Sequence, residues 1–195
     1  GSFDAEWYPT SKIGDLYKIA YWYEYSDDTT SHGNTSPTLT PQTTTGGVKK
    51  LARYRQNFPK RAVKESAHNY TNLFQLVDIL DTTLTGDAYA QRVFPHLDVR
   101  EWCLSFAAER IVNNTDLYGA KRLKGDISKA GGQNAFILKP DGDTWKFLCW
   151  DLDAAFLGTP VDPLFDFTDP PISNLFLHPF FLRTYLQALE DSANV

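Results

Sequence analysis

The chain has 195 residues, 42% hydrophobic and 14% aromatic, which is enough for one domain with a sizeable core. It holds no run of about 18 apolar residues, so nothing in it reads as a membrane-spanning helix. A net charge of −5, with the acidic residues spread along the chain, argues against nucleic acid as a partner.

Gly1 and Ser2 read as the remnant of an expression tag, leaving 3–195 as one domain whose natural start is expected upstream. Residues 12–25, KIGDLYKIAYWYEY, alternate and are rich in Tyr, Ile and Trp, which predicts one or two strands. From Ser26 to Gly47 the composition turns to Thr, Ser, Gly, Asn and Pro, and a flexible loop or insertion is expected. Lys49, Lys50, Arg53, Arg55, Lys60, Arg61 and Lys64 follow, and a solvated face is favoured there over an anion site.

The next half reads as helical. Leu73, Phe74, Leu76, Val77 and Leu80 recur at helical spacing, with Asn72 or Thr71 as cap. Asp87 to Phe94 reads as a short helix ended by Pro95. Asp98 caps a longer one with Val99, Trp102, Phe106, Ile111 and Val112 on its buried side, stopped by Asn113-Asn114. Residues 117–133 form an irregular Lys- and Gly-rich segment. Asn134 opens a strand, KPDGD turns it, and Trp145, Phe147 and Cys149 mark the buried face of a strand returning antiparallel. A Pro- and Phe-rich loop follows Gly158, and residues 179–191 form a closing amphipathic helix. Cys103 and Cys149 sit in apolar context and read as two buried thiols, with a disulfide left open.

The stretch Trp145 to Gly158, WKFLCWDLDAAFLG, carries the chemistry. A strand that ends on Asp151 and Asp153 presents carboxylate oxygens suited to a hard divalent cation such as Mg²⁺. The plainer alternative has Asp153 capping a helical turn and Asp151 solvated. Antiparallel pairing puts Asn134 and Asp151 at the same end of the hairpin, and Asp116 on the preceding segment can face them. Asp, then Asn, then Asp is the order used in phosphoryl transfer by protein kinases, where one Asp orients the hydroxyl and the other two groups hold Mg²⁺. A two-carboxylate hydrolase fits less well. Asp151 and Asp153 are too close along one stretch to flank a scissile bond.

The residues Asn114, Asp116, Asn134, Trp150, Asp151, Asp153, Phe156 and Gly158 together resemble the signature of the CotH kinase family, atypical protein kinases first described as spore-coat proteins. The D-L-Y-K of Asp15 to Lys18, the LDVREW before the long helix and the HPFFLRTYLQAL at the end are similar to that family as well. The resemblance implies an α+β, atypical protein-kinase-like fold: a mainly helical C-terminal lobe, a β-hairpin carrying the metal site and a short N-terminal strand region. It implies Asp116 as the catalytic Asp, Asn134 and Asp151 as ligands of Mg²⁺ or Mn²⁺, and Asp153 as a supporting or second metal carboxylate. Lys18 would lie near the phosphates of ATP, a strand lysine that merely snorkels being the other reading.

It further implies a protein substrate with Ser or Thr and an extracytoplasmic location, secreted or at the cell surface. Two departures stand out. Eighteen positions separate Asp116 from Asn134, where the family's Asn follows closely, so 117–133 reads as an insertion in the catalytic loop. The strands that cover the nucleotide in the family are not found before L-Y-K, and the domain reads as truncated at its N-terminus. The competing function is a non-catalytic binding or scaffold module of a larger extracellular protein, with Trp7, Tyr8, Trp22 and Tyr23 as aromatics for sugar rings.

Overall fold

Thirteen Phe, ten Tyr and five Trp in one chain favour a core built from ring contacts, and the sheet and helices are arranged around such a core. The computed structural model describes residues 12–20, 22–27, 30–35, 37–63, 65–120, 133–159 and 161–194. In chain order they form β1 (Lys12–Ile19), β2 (Trp22–Asp27), β3 (Thr30–Thr35), α1 (Leu51–Asn57), β4 (Lys60–Ala62), α2 (Thr71–Ile79), α3 (Gly86–Val93) and α4 (Val99–Ile111). Then come β5 (Ala135–Asp141), β6 (Lys146–Cys149), α5 (Pro170–Phe176) and α6 (Pro179–Ala193). Trp7, Tyr8 and residues 121–132 of the segment 117–133 lie outside the described residues, as do the side chains of Trp22 and Tyr23.

The fold is α+β. Four antiparallel strands pair in the order β4-β1-β5-β6, and β2 and β3 form a separate pair. The early strand is therefore not a region apart from the hairpin. It is an inner strand of the same sheet, with Ile19 beside Ala135 and Lys18 beside Phe136. Asp15, Tyr17 and Ile19 are buried, while Lys18 and Phe136 are half-buried on the opposite face.

Two segments depart from the sequence-based expectation. The stretch 26–47 contains β3, whose TSHGNT sequence lacks the apolar alternation that marks a half-buried strand. The Pro- and Phe-rich segment contains α5. Asp169 caps it by accepting from the Ile172 N–H at 3.4 Å, and its two prolines occupy the first turn, where no intrahelical donor is needed.

The core is aromatic at its centre. Phe106 of α4 stacks on Phe147 of β6 at 4.7 Å, Phe167 stacks on Phe176 at 4.0 Å, and Tyr185 of α6 meets Phe176 edge-on at 4.8 Å. Each such ring stabilises by roughly 1.5–3 kcal/mol through burial, so these contacts fix α4, α5 and α6 against the hairpin.

Polar anchors correct several details. Asp98 caps α4 as expected, accepting from the Glu101 N–H at 3.1 Å, and it also takes Lys146 Nζ at 2.7 Å. Lys146 is consequently buried although it alternates with the core residues of β6. Neither Asn72 nor Thr71 caps α2: Asn69 Oδ1 accepts from the Thr71 N–H, and Asn72 Nδ2 donates to Asp15 Oδ2 at 2.9 Å. On α4, Trp102 and Phe106 are buried but Ile111 is exposed, and Glu109 and Arg110 are buried instead.

Lys60 is not on a solvated face either. Its Nζ lies 2.8 Å from Asp15 Oδ1 with both side chains almost wholly buried, and it packs over the rings of Tyr17 and Tyr70. A buried pair is costly to break one-sidedly, because the survivor keeps its charge without its partner. Lys60→Met should therefore lower unfolding stability by about 3 kcal/mol in urea titrations. The double variant Lys60→Met/Asp15→Asn should lose less than the two single losses added together.

Candidate active site at the end of the sheet

The ends of β1, β5 and β6 meet at one edge, where Ile19 pairs with Ala135 and Ala135 with Cys149. Asn134 immediately precedes β5, and Trp150 and Asp151 immediately follow β6, at the same end of the hairpin. Asp116 arrives from the end of α4. Its side chain is only 6% exposed, and its Oδ2 accepts from Asn134 Nδ2 at 3.1 Å.

The intervening loop does not keep the two apart. Leu117 bridges to Gln133, and the Gln133 N–H donates to the Asp116 carbonyl at 3.4 Å, so the loop leaves and returns through a closed neck. Residues 117–120 are buried below it. Gly119, at φ +80, takes a left-handed turn against Ile172, where a Cβ would lie 3.0 Å from that side chain.

The turn before Asp116 is held by side chains. Asn114 Oδ1 accepts from the Asp116 N–H at 3.1 Å, and Asn114 Nδ2 donates to Glu109 Oε2 at 2.5 Å. Glu109 is 1% exposed, and burial pushes its carboxyl up to about 7 despite the hydrogen bond from Asn114. The sequence reading missed Glu109. The signal was present: it lies on the same helical face as Trp102 and Phe106, at spacings of four and three. Arg110 beside it is buried over the Phe167 ring at 5.3 Å, and desolvation lowers its pKa.

Asp151 and Asp153 are exposed, on a 3-10 turn that follows β6. Asp151 takes φ +60 and Asn134 φ +61, left-handed conformations that Asp and Asn tolerate better than most residues. Phe156 takes φ +60 while 80% exposed, which for a bulky residue is strain maintained by its surroundings. The surroundings are evident. The Phe156 N–H donates to the Val112 carbonyl at 2.6 Å, the Thr115 N–H to the Ala154 carbonyl at 3.2 Å, and Asn113 Nδ2 to the Thr159 carbonyl at 3.0 Å. The segment carrying Asp151 and Asp153 is thereby tied to the segment carrying Asp116.

Of the residues singled out by sequence, Asp116 and Asn134 are brought into contact. Lys18 lies two pairs away from the Asn134 end, sharing the outer sheet face with Phe136 and Leu148, and the Trp150 ring meets Phe136 edge-on at 5.0 Å. Among the described residues no three acidic, histidine or cysteine side chains converge on one point, so there is no all-protein metal cage. The oxygen donors at the hairpin end, Asn134 Oδ1 and the Asp151 carboxylate, are of the hard type that Mg²⁺ accepts when phosphates and water supply the other ligands. Cys103 and Cys149 are both unpaired thiols; Cys103 is buried as expected, but Cys149 is only half-buried at the end of β6.

An acid is thus held by an amide at the mouth of the hairpin, and a second acid follows the end of the partner strand. The CotH kinase protein family matches residues 12–176, most of the chain, and the protein belongs to that family. Kinase-like function follows at that level, as does the family's general use of a nucleotide, a divalent metal and a protein substrate. Comparison with curated proteins and with solved structures returned no significant match. No described helix is long and apolar enough to cross a membrane.

Two outcomes test this geometry. A Cβ on Gly158 would lie 2.1 Å from Asn113 Oδ1, so Gly158→Ala should cost about 1–3 kcal/mol in denaturant unfolding, and Asn113→Ala should recover part of that loss. The second concerns pH. Glu109 has a folded value near 7 against an ordinary 4.5, so its protonated form is favoured by folding. The stability it contributes is full below about pH 4.5 and is lost as pH rises through 7. Glu109→Gln should flatten the wild-type pH–stability curve between those limits by on the order of 2–3 kcal/mol.

Proposed function

We propose that this chain is the larger lobe of a protein kinase that transfers the γ-phosphoryl group of ATP to Ser or Thr hydroxyls. One observation carries the reading: Asp116 and Asn134 are hydrogen-bonded across eighteen positions of sequence. Asn134 holds one oxygen of the Asp116 carboxylate and so limits its rotation, which suits a group that must accept a hydrogen bond from an incoming hydroxyl.

The amide's Oδ1 is a hard oxygen donor of the type Mg²⁺ accepts. Asn134 and Asp151 would hold Mg²⁺ or Mn²⁺, with Asp153 as the supporting carboxylate. The bound cation would supply charge neutralisation on the phosphates. Lys18 is assigned to the nucleotide side on the weaker ground that it shares the outer sheet face with Phe136. An extracytoplasmic location belongs to the same proposal and rests on the family resemblance alone.

Calorimetry with MgATP and transfer assays with γ-labelled ATP test the assignment. Asp151→Ala should weaken MgATP binding by about tenfold or more. Asp116→Ala should lower the transfer rate by roughly 10²–10⁴-fold and leave nucleotide affinity nearly unchanged. Wild-type protein that neither binds MgATP or MnATP nor transfers phosphate would sink the reading, and retention on glycans without nucleotide would favour the scaffold alternative.

A further inference from the structure

Glu109 is a charged residue type placed where the packing of α4 calls for an apolar one. It lies on the buried face with Trp102 and Phe106, and it is 1% exposed. An acid in that position must be hydrogen-bonded to be tolerated. Its neighbours come from the two segments that build the candidate site. Asn114 Nδ2 donates to Glu109 Oε2 at 2.5 Å, and the Asn114 backbone N–H donates to the Glu109 carbonyl at 2.9 Å. The thiol of Cys149, two residues before Asp151, faces the carboxyl and donates its proton to the Ser105 carbonyl at 3.4 Å.

An amide side chain can be seated in two orientations that differ by exchanging oxygen and nitrogen. A carboxyl oxygen facing Asn114 selects the one with Nδ2 toward Glu109. That leaves Oδ1 toward the Asp116 N–H, where a 3.1 Å hydrogen bond is found. Seated the other way, Asn114 would present its amide N–H to the Asp116 N–H and leave the carboxyl oxygen without that donor. We infer that Glu109 is a positioning residue: it fixes the orientation of Asn114, which sets the turn that presents Asp116 to Asn134. The raised pKa of its carboxyl reflects the burial that makes this hold rigid. The groups facing it are Asn114 and Asp116 on the turn, Cys149 on β6 and Arg110 on its own helix. For its kinetic consequence the inference rests on the phosphotransferase reading; for its structural consequence it does not.

The test uses the full chain and three variants. Glu109→Leu fills the volume without an acceptor, Glu109→Gln keeps an oxygen for Asn114, and Asn114→Ala removes the relay while leaving the helix intact. Backbone hydrogen exchange over residues 112–118 should quicken about tenfold or more in Glu109→Leu and Asn114→Ala, with α2 and α6 unchanged, and Glu109→Gln should stay near wild type. Transfer from γ-labelled ATP to dephosphorylated casein should fall in the first two variants while MgADP affinity stays within about threefold, a kcat effect rather than a binding effect. If Glu109→Leu does not fold, Asn114→Ala and Glu109→Gln decide the matter between them. Exchange and turnover unchanged in the folded variants would overturn the inference. Should exchange respond as described while wild-type protein transfers no phosphate, the kinase reading fails and the positioning role stands.

Discussion

The hydrogen bond from Asn134 Nδ2 to Asp116 Oδ2 joins the end of the helical region to the start of the hairpin, and the candidate site depends on it. Loop-closure entropy grows only slowly with length, so the residues between the two groups cost little once the neck is shut by Leu117 and Gln133. The closure requires Gly119 to turn tightly over Ile172, and it requires α5 to lie below, where the Thr168 and Asp169 N–H groups both donate to the Gly119 carbonyl.

Beneath the site the molecule accepts an unusual cost. Glu109, Arg110, Asn114, Asp116 and Asn134 are all buried next to an aromatic core. Buried polar groups destabilise unless they satisfy one another, and here a connected line runs from Glu109 through Asn114 and Asp116 to Asn134. The left-handed residues gather in the same place: Asn113, Asn134, Asp151 and Phe156 are the non-glycine residues with positive φ among those described. Desolvation and backbone strain collect where chemistry would need fixed geometry, and the ring stacks around Phe147 and Phe176 offset them.

Much of this was legible in the chain. The hairpin, the cap at Asp98 and the closing helix all have local signals strong enough to survive tertiary context. The misses have physical causes. Strand β3 pairs only with β2 and carries polar residues, so no alternation announces it. Helix α5 opens with two prolines, which read as a breaker unless Asp169 is recognised as the cap before them. Lys60 was placed on a solvated face because charge usually means exposure, and Glu109 was passed over; Lys60 is inside because Asp15, distant in sequence, satisfies it, and Glu109 because Asn114 does. Ile111 made the converse error, an apolar residue on the wrong side of α4. Of the site, the order of Asp116, Asn134 and Asp151 could be read, but not the side chains behind them, since a supporting hydrogen bond leaves no spacing rule in the sequence.

The two cysteines have a consequence for handling. Cys103 donates to the Phe181 carbonyl and Cys149 to the Ser105 carbonyl, and burial raises both thiols to about 12. Thiol reagents and oxidants attack the thiolate, which is therefore scarce at either position while the chain is folded. Cys103 is fully buried and Cys149 only half-buried, so labelling of Cys103 waits on opening of the interior, whereas at Cys149 it is slowed by the scarcity of thiolate.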